Sequence, residues 1–157
     1  MLTQLSTVKA RLGISEFDLT HDGVLTNAIK ALSGYFEKRC NRVFGRAVNA
    51  WHEFGARERE LAVGSYPIEG VSKFELKREE AEGWVEQAGV KYLIRNGCVI
   101  SLLEGLGESD ELGRVTYTGG YVLPGGSVGP GQTGLPSAAS LTARRVISWI
   151  RLAPSCT

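Results

Sequence analysis

Apolar residues recur at spacings of three and four between Asp22 and Arg42: Leu25, Ala28, Ile29, Leu32, Phe36 and Cys40 fall on one stripe of a 3.6-residue helix. Thr26, Asn27, Lys30, Ser33, Glu37, Lys38 and Asn41 take the remaining positions. The pattern predicts one long amphipathic helix, opened by Asp22, with its stripe buried under a sheet or other helices. Burying Leu25, Ile29, Leu32 and Phe36 at about 2 kcal/mol each contributes roughly 8 kcal/mol before entropy. Gly34 costs about 1 kcal/mol in such a helix, so a close backbone contact is expected there. Upstream, Leu5, Val8 and Leu12 predict a short first helix, capped by Thr3 and closed at Gly13, where a left-handed residue suits glycine. Phe17 and Leu19, in the connection from Ile14 to His21, are expected to tuck against the long helix.

After Arg42 the period changes. Val43 to Phe54, Glu60 to Val63, Val71 to Leu76, Trp84-Val85, Val90 to Ile94 and Arg114 to Thr118 read as strand segments. Asn96-Gly97 before Val99 is a hairpin signal, because both turn positions tolerate positive φ. Lys77 to Gly83, densely charged, reads as a solvated hairpin tip. Gly119 to Gly134 holds seven glycines, two prolines and no charge, the composition of a flexible loop or arm. A last helix is predicted from Pro136, with Leu141, Val146, Ile147, Trp149 and Ile150 apolar over more than half its circumference. The expected fold is therefore α+β in one domain, residues 1–157. A helical group of short N-terminal, long central and C-terminal helices packs with a small, mostly antiparallel β-structure.

Length permits a single core without staples. Cys40, Cys98 and Cys156 lack any C-x-x-C spacing, so three reduced thiols are expected. No apolar run approaches the roughly 20 residues that span a bilayer, and no leader pattern opens the chain, so a soluble, unexported protein is expected. Charge changes the picture more. Residues 1–52 carry seven basic and four acidic side chains, residues 53–111 seven and thirteen, and residues 112–157 four and none. The segments are +3, −6 and +4, and in a ring every copy would stack the same polarity.

No catalytic constellation stands out. Gly129 to Gly134 matches G-x-G-x-x-G, but no strand leads into it and no acidic residue follows Glu111 to hold a ribose. His21 and His52 are 31 positions apart without metal-ligand spacing, and His52 and Glu53, adjacent on a strand, point to opposite faces. No catalytic residue, metal ligand or cofactor is assigned. Arg144, Arg145 and Arg151 beside Trp149 suit phosphate contacts, which supports an alternative: a nucleic-acid-binding module using a basic C-terminal helix. The breadth of that helix's apolar surface favours a protein partner.

Three stretches together resemble the phage head-tail connector (adaptor) proteins of HK97-type siphophage: Met1-Leu2-Thr3 with Val8 to Ile14, Tyr35 to Phe44, and Val115 to Tyr121 leading to Leu135-Pro136 and a last helix. The resemblance implies a non-enzymatic virion protein at the head-tail interface, assembled from host cytoplasm. It forms a homo-oligomeric ring of twelve copies under the portal protein, extends the DNA channel, and offers a surface to the next neck or tail-completion protein. DNA passes without sequence-specific binding, and no membrane is involved. Portal contact would fall on Arg144, Arg145, Trp149, Ile150 and Arg151. Glu79, Glu80 and Glu82 are expected to face the channel, where repelling phosphates lets DNA slide. The long Gly-rich stretch and the short tail depart from the family pattern.

Overall fold

The computed structural model describes residues 1–136. In chain order they form α1 (Leu5–Leu12), α2 (Asp22–Arg39), β1 (Ala47–Gly55), β2 (Glu60–Ala62), β3 (Ile68–Lys77), β4 (Val85–Gln87), β5 (Tyr92–Arg95), β6 (Val99–Leu102), β7 (Leu112–Gly119), β8 (Tyr121–Val122) and β9 (Thr133–Gly134). One antiparallel sheet has the order β1-β7-β3-β4, a second β2-β6-β5, and β8 and β9 form a short parallel pair.

β7 shows why the larger sheet forms. Val115 and Tyr117 alternate with Arg114, Thr116 and Thr118, so one face is apolar and the other polar. Register places His52 and Phe74 on either side of Val115. The core gathers Phe54 from β1, Leu61 from β2, Phe74 from β3, Ile100 and Leu102 from β6, and Val115 and Tyr117 from β7, joined by Val63 and Ile68. Both sheets supply it, so it lies between them, each large side chain contributing about 1.5–3 kcal/mol. The Tyr117 hydroxyl accepts the Ser65 N–H at 3.1 Å, which satisfies its polar tip inside the core.

The expected helical group does not form. The described residues are predominantly β, and no helical residue belongs to the core cluster. The physical reason is coverage. α1 has eight residues and shields only one side of α2, so Ile29 is the one fully buried residue of α2, while Leu32 and Phe36 are 59% and 53% exposed. Phe17 and Leu19, expected to tuck in, are 94% and 72% exposed. The strands instead bury their apolar faces against a second sheet, which a two-helix unit cannot match. The predicted helix after Pro136 lies outside the described residues.

Several local expectations hold. Gly13 (φ +70°) ends α1, with the Gly13 and Ile14 amides donating to the Ala10 and Lys9 carbonyls. Asn96 and Gly97, both at positive φ, join β5 to β6. Thr3 does not cap α1, whose N-cap is Gln4, and α2 stops at Arg39 rather than Arg42. Cys40 is an exposed free thiol, but Cys98 is buried and disulfide-bonded, so three reduced thiols do not hold.

The sheet has two chemically distinct ends. Gly55, Leu112 and Lys77 are aligned in register, so the loops 55–59, 78–84 and 103–111 share one end; Ala47, Gly119 and Ile68 are aligned at the other, where α2 arrives.

Candidate interaction surface

At the helix end, a lysine organises the chain. Lys9 is 3% exposed; its Nζ donates to the Asp18 carbonyl at 2.7 Å and the Glu16 carbonyl at 3.2 Å, and pairs with Asp22 Oδ1 at 2.5 Å. The Asp18 carboxylate accepts from Thr20, which holds its pKa below the usual value. These bonds fix the connection and set α1 on one side of α2. The adjacent stripe, Val24, Ala28, Leu32 and Tyr35 at i, i+4, i+8 and i+11, is then left open. Phe36 flanks it, its ring centroid 6.2 Å from that of Tyr35 and edge-on. These side chains form exposed apolar surface of the kind that marks interaction sites, and Phe17 and Leu19 in the α1–α2 connection are exposed as well. Lys38 and Arg39, three and four positions beyond Tyr35, are exposed on this side of α2 and make no ion pair among the described residues.

Arg42 joins the helices to the sheets. Its guanidinium lies 3.4 Å from the Tyr66 ring centroid, 4.6 Å from Phe44 and 5.4 Å from Tyr121, and Nη2 donates to the Tyr66 carbonyl. Nearby, the Phe44 N–H donates to Glu37 Oε1 at 3.2 Å, and Arg46 holds Glu69 through two bonds of 2.8 Å. The seam consumes Arg42 and Glu37 in attachment and leaves the open stripe of α2 untouched.

The outer face of the larger sheet carries a cross-strand row, Glu53, Arg114, Glu75 and Glu86. Arg114 Nε donates to Glu75 Oε2 at 2.9 Å, Lys73 to Oε1 at 2.8 Å, and Arg114 stacks 4.3 Å from the Trp84 ring. Arg114 above all, then Lys73, holds the Glu75 carboxyl below its ordinary range against the opposing cost of burial. Partial burial pushes the half-buried His52 down, opposed by Glu58. Both shifts have the same sign for folding, because each folded pKa lies below its unfolded one. Stability is then complete above the unfolded values and is lost as pH falls. We expect two steps in a urea-denaturation series: a first loss beginning below about pH 6.5, absent in His52→Phe, and a second beginning below about pH 4.5, reduced in Glu75→Gln. A profile flat from pH 7 to pH 4 would contradict both assignments.

The loop end is acidic. Loops 55–59, 78–84 and 103–111 hold eight acidic and three basic side chains, net −5, whereas residues 1–46 hold seven basic and four acidic, net +3. Glu79, Glu80 and Glu82 sit on the exposed β3–β4 turn, as the solvated-tip expectation has it, with Glu80 paired to Lys77 at 2.6 Å; Arg78 reaches Glu111 at 3.3 Å. Arg144, Arg145, Trp149, Ile150 and Arg151 lie outside the described residues. Two open depressions of about 200 and 250 Å³ border residues 87–91; neither contains histidine or cysteine, and both fall below the roughly 300 Å³ at which small-molecule sites begin. Among the described residues, no group of three or more His, Cys, Asp or Glu side chains gathers for a metal.

The sequence pattern missed the open stripe, since Leu32 and Phe36 were assigned to a buried face. A usable signal was Val24 and Tyr35, apolar positions outside the stripe first drawn, which widen the apolar arc beyond what an eight-residue partner helix covers. No protein-family model, curated protein or solved structure matches this chain.

Proposed function

We propose that the chain is a structural subunit of a homo-oligomeric ring, the head-tail connector of a tailed phage, docking under the portal protein and presenting a surface to the next neck or tail protein. The observation that carries this is the apolar stripe of α2 with Phe17 and Leu19. A lone chain leaves these large side chains in water, whereas a ring subunit buries them against its neighbour. Motif resemblance supplies the choice of ring. The DNA channel, the copy number of twelve and portal contact by Arg144, Arg145, Trp149, Ile150 and Arg151 belong to the same proposal.

The test is negative-stain microscopy of lysates from phage in which this gene alone is disrupted. DNA-filled or leaking heads beside free tails are expected, with joining restored by added purified protein. Normal numbers of intact tailed particles would overturn the proposal. DNA affinity of the isolated chain that falls steeply with salt would instead favour the nucleic-acid-binding module.

A further inference from the structure

Resting on the ring reading, the geometry points to how one copy meets the next: the open face of α2 docks on the acidic loop end of a second copy of this chain, head to tail. The two surfaces lie at opposite ends of the larger sheet, so one chain cannot bring its own pair together. They are complementary in charge. On the stripe side of α2, Lys38 and Arg39 are exposed and unpaired among the described residues; at the loop end, Glu79, Glu82, Glu104, Glu108 and Asp110 are likewise exposed and unpaired. Both ends also carry apolar side chains in water, Leu32 and Tyr35 on one, Leu103 and Leu112 (50% and 45% exposed) on the other. Apolar centre and charged rim together are what a specific interface needs.

The contact joins different surfaces, so it is heterologous and closes into a ring when the rotation per step allows. It also reassigns Glu79 and Glu82, which face the neighbouring copy rather than the channel. Neutralising or reversing them therefore acts on assembly before it acts on DNA passage.

The experiment is light scattering coupled to size exclusion, on the full chain, with reversals at each end. Glu79→Lys/Glu82→Lys/Asp110→Lys and, separately, Lys38→Glu/Arg39→Glu are each expected to raise the concentration of half-assembly at least about tenfold, because like charges then face each other. All five positions are exposed, and circular dichroism checks that the variants fold. Combining both sets in one chain, or mixing the two variants, is expected to restore assembly. If the wild-type chain assembles into rings and the reversals leave the size unchanged, this docking is wrong and the ring stands. A wild-type chain that stays monomeric at all concentrations and shows no rings on grids overturns both.

Discussion

Gly120→Ala is expected to lose about 3–5 kcal/mol of stability, a large part of the roughly 5–15 kcal/mol that holds a domain together. Gly120 adopts φ +106°, a region nearly confined to glycine that costs another residue about 1–3 kcal/mol. A Cβ there would also lie 2.6 Å from the Gly45 carbonyl oxygen and 2.9 Å from Arg46 Cα, both backbone atoms with no rotamer to yield. The site is a junction: the Tyr121 N–H bonds the Phe44 carbonyl, the Arg46 N–H bonds the Tyr121 carbonyl, and the Gly120 N–H bonds the Pro67 carbonyl. Pushing one strand outward therefore breaks three connections at the end where the helix pair attaches. Gly131→Ala is the control, at φ +77° with no described residue within 4 Å of the added Cβ, and should cost only about 1 kcal/mol. Thermal melts followed by circular dichroism decide the matter; a Gly120→Ala midpoint within about 2 °C of wild type would refute the junction.

How much of this was legible in the sequence depends on the range of the interaction. Gly13 and Asn96-Gly97 were legible because a positive φ is a local demand that one or two residues meet. The strands between Glu60 and Thr118 were located, and Val115 and Tyr117 alternate as written, whereas β8 and β9 pair within the Gly-rich stretch read as a loop or arm. What local pattern could not weigh was which apolar face wins the interior. Leu32 and Phe36 sit at core spacing on α2, yet periodicity says only that a face is apolar, not that anything is large enough to cover it. Pairing was equally hidden: β1 and β3 flank β7, more than 30 residues downstream, and only that register aligns Glu53, Arg114, Glu75 and Glu86 on one face. Arg42 gave no sign of its role, since Tyr66 and Tyr121 are remote in sequence and meet it only through the strand ends. The acidic tip was read correctly as exposed, but its place opposite the helices follows from strand direction.

The division between helix pair and sheets makes the second large effect a local one. Lys9→Met should loosen α1 and α2 while leaving the sheets intact. The substitution keeps the apolar stem and removes the ammonium, which strands the Asp18 and Glu16 carbonyls and the Asp22 carboxylate together. Breaking a fully buried pair costs about 3–5 kcal/mol. Asp22 is 28% exposed and regains some water, so about 2–4 kcal/mol is expected here. That exceeds what two helices with Ile29 as their one buried large apolar residue can absorb. The core runs through Phe74, Ile100 and Val115, where Lys9 has no part. Amide hydrogen exchange read by mass spectrometry should show protection across residues 5–39 falling at least tenfold, with peptides from β3 and β7 unchanged. Because the open stripe is held in line only while α1 lies against α2, the same variant should also assemble poorly. Equal loss of protection in the helices and in β7 would show one cooperative unit and sink the division. Unchanged protection everywhere would show that Lys9 does not hold the pair.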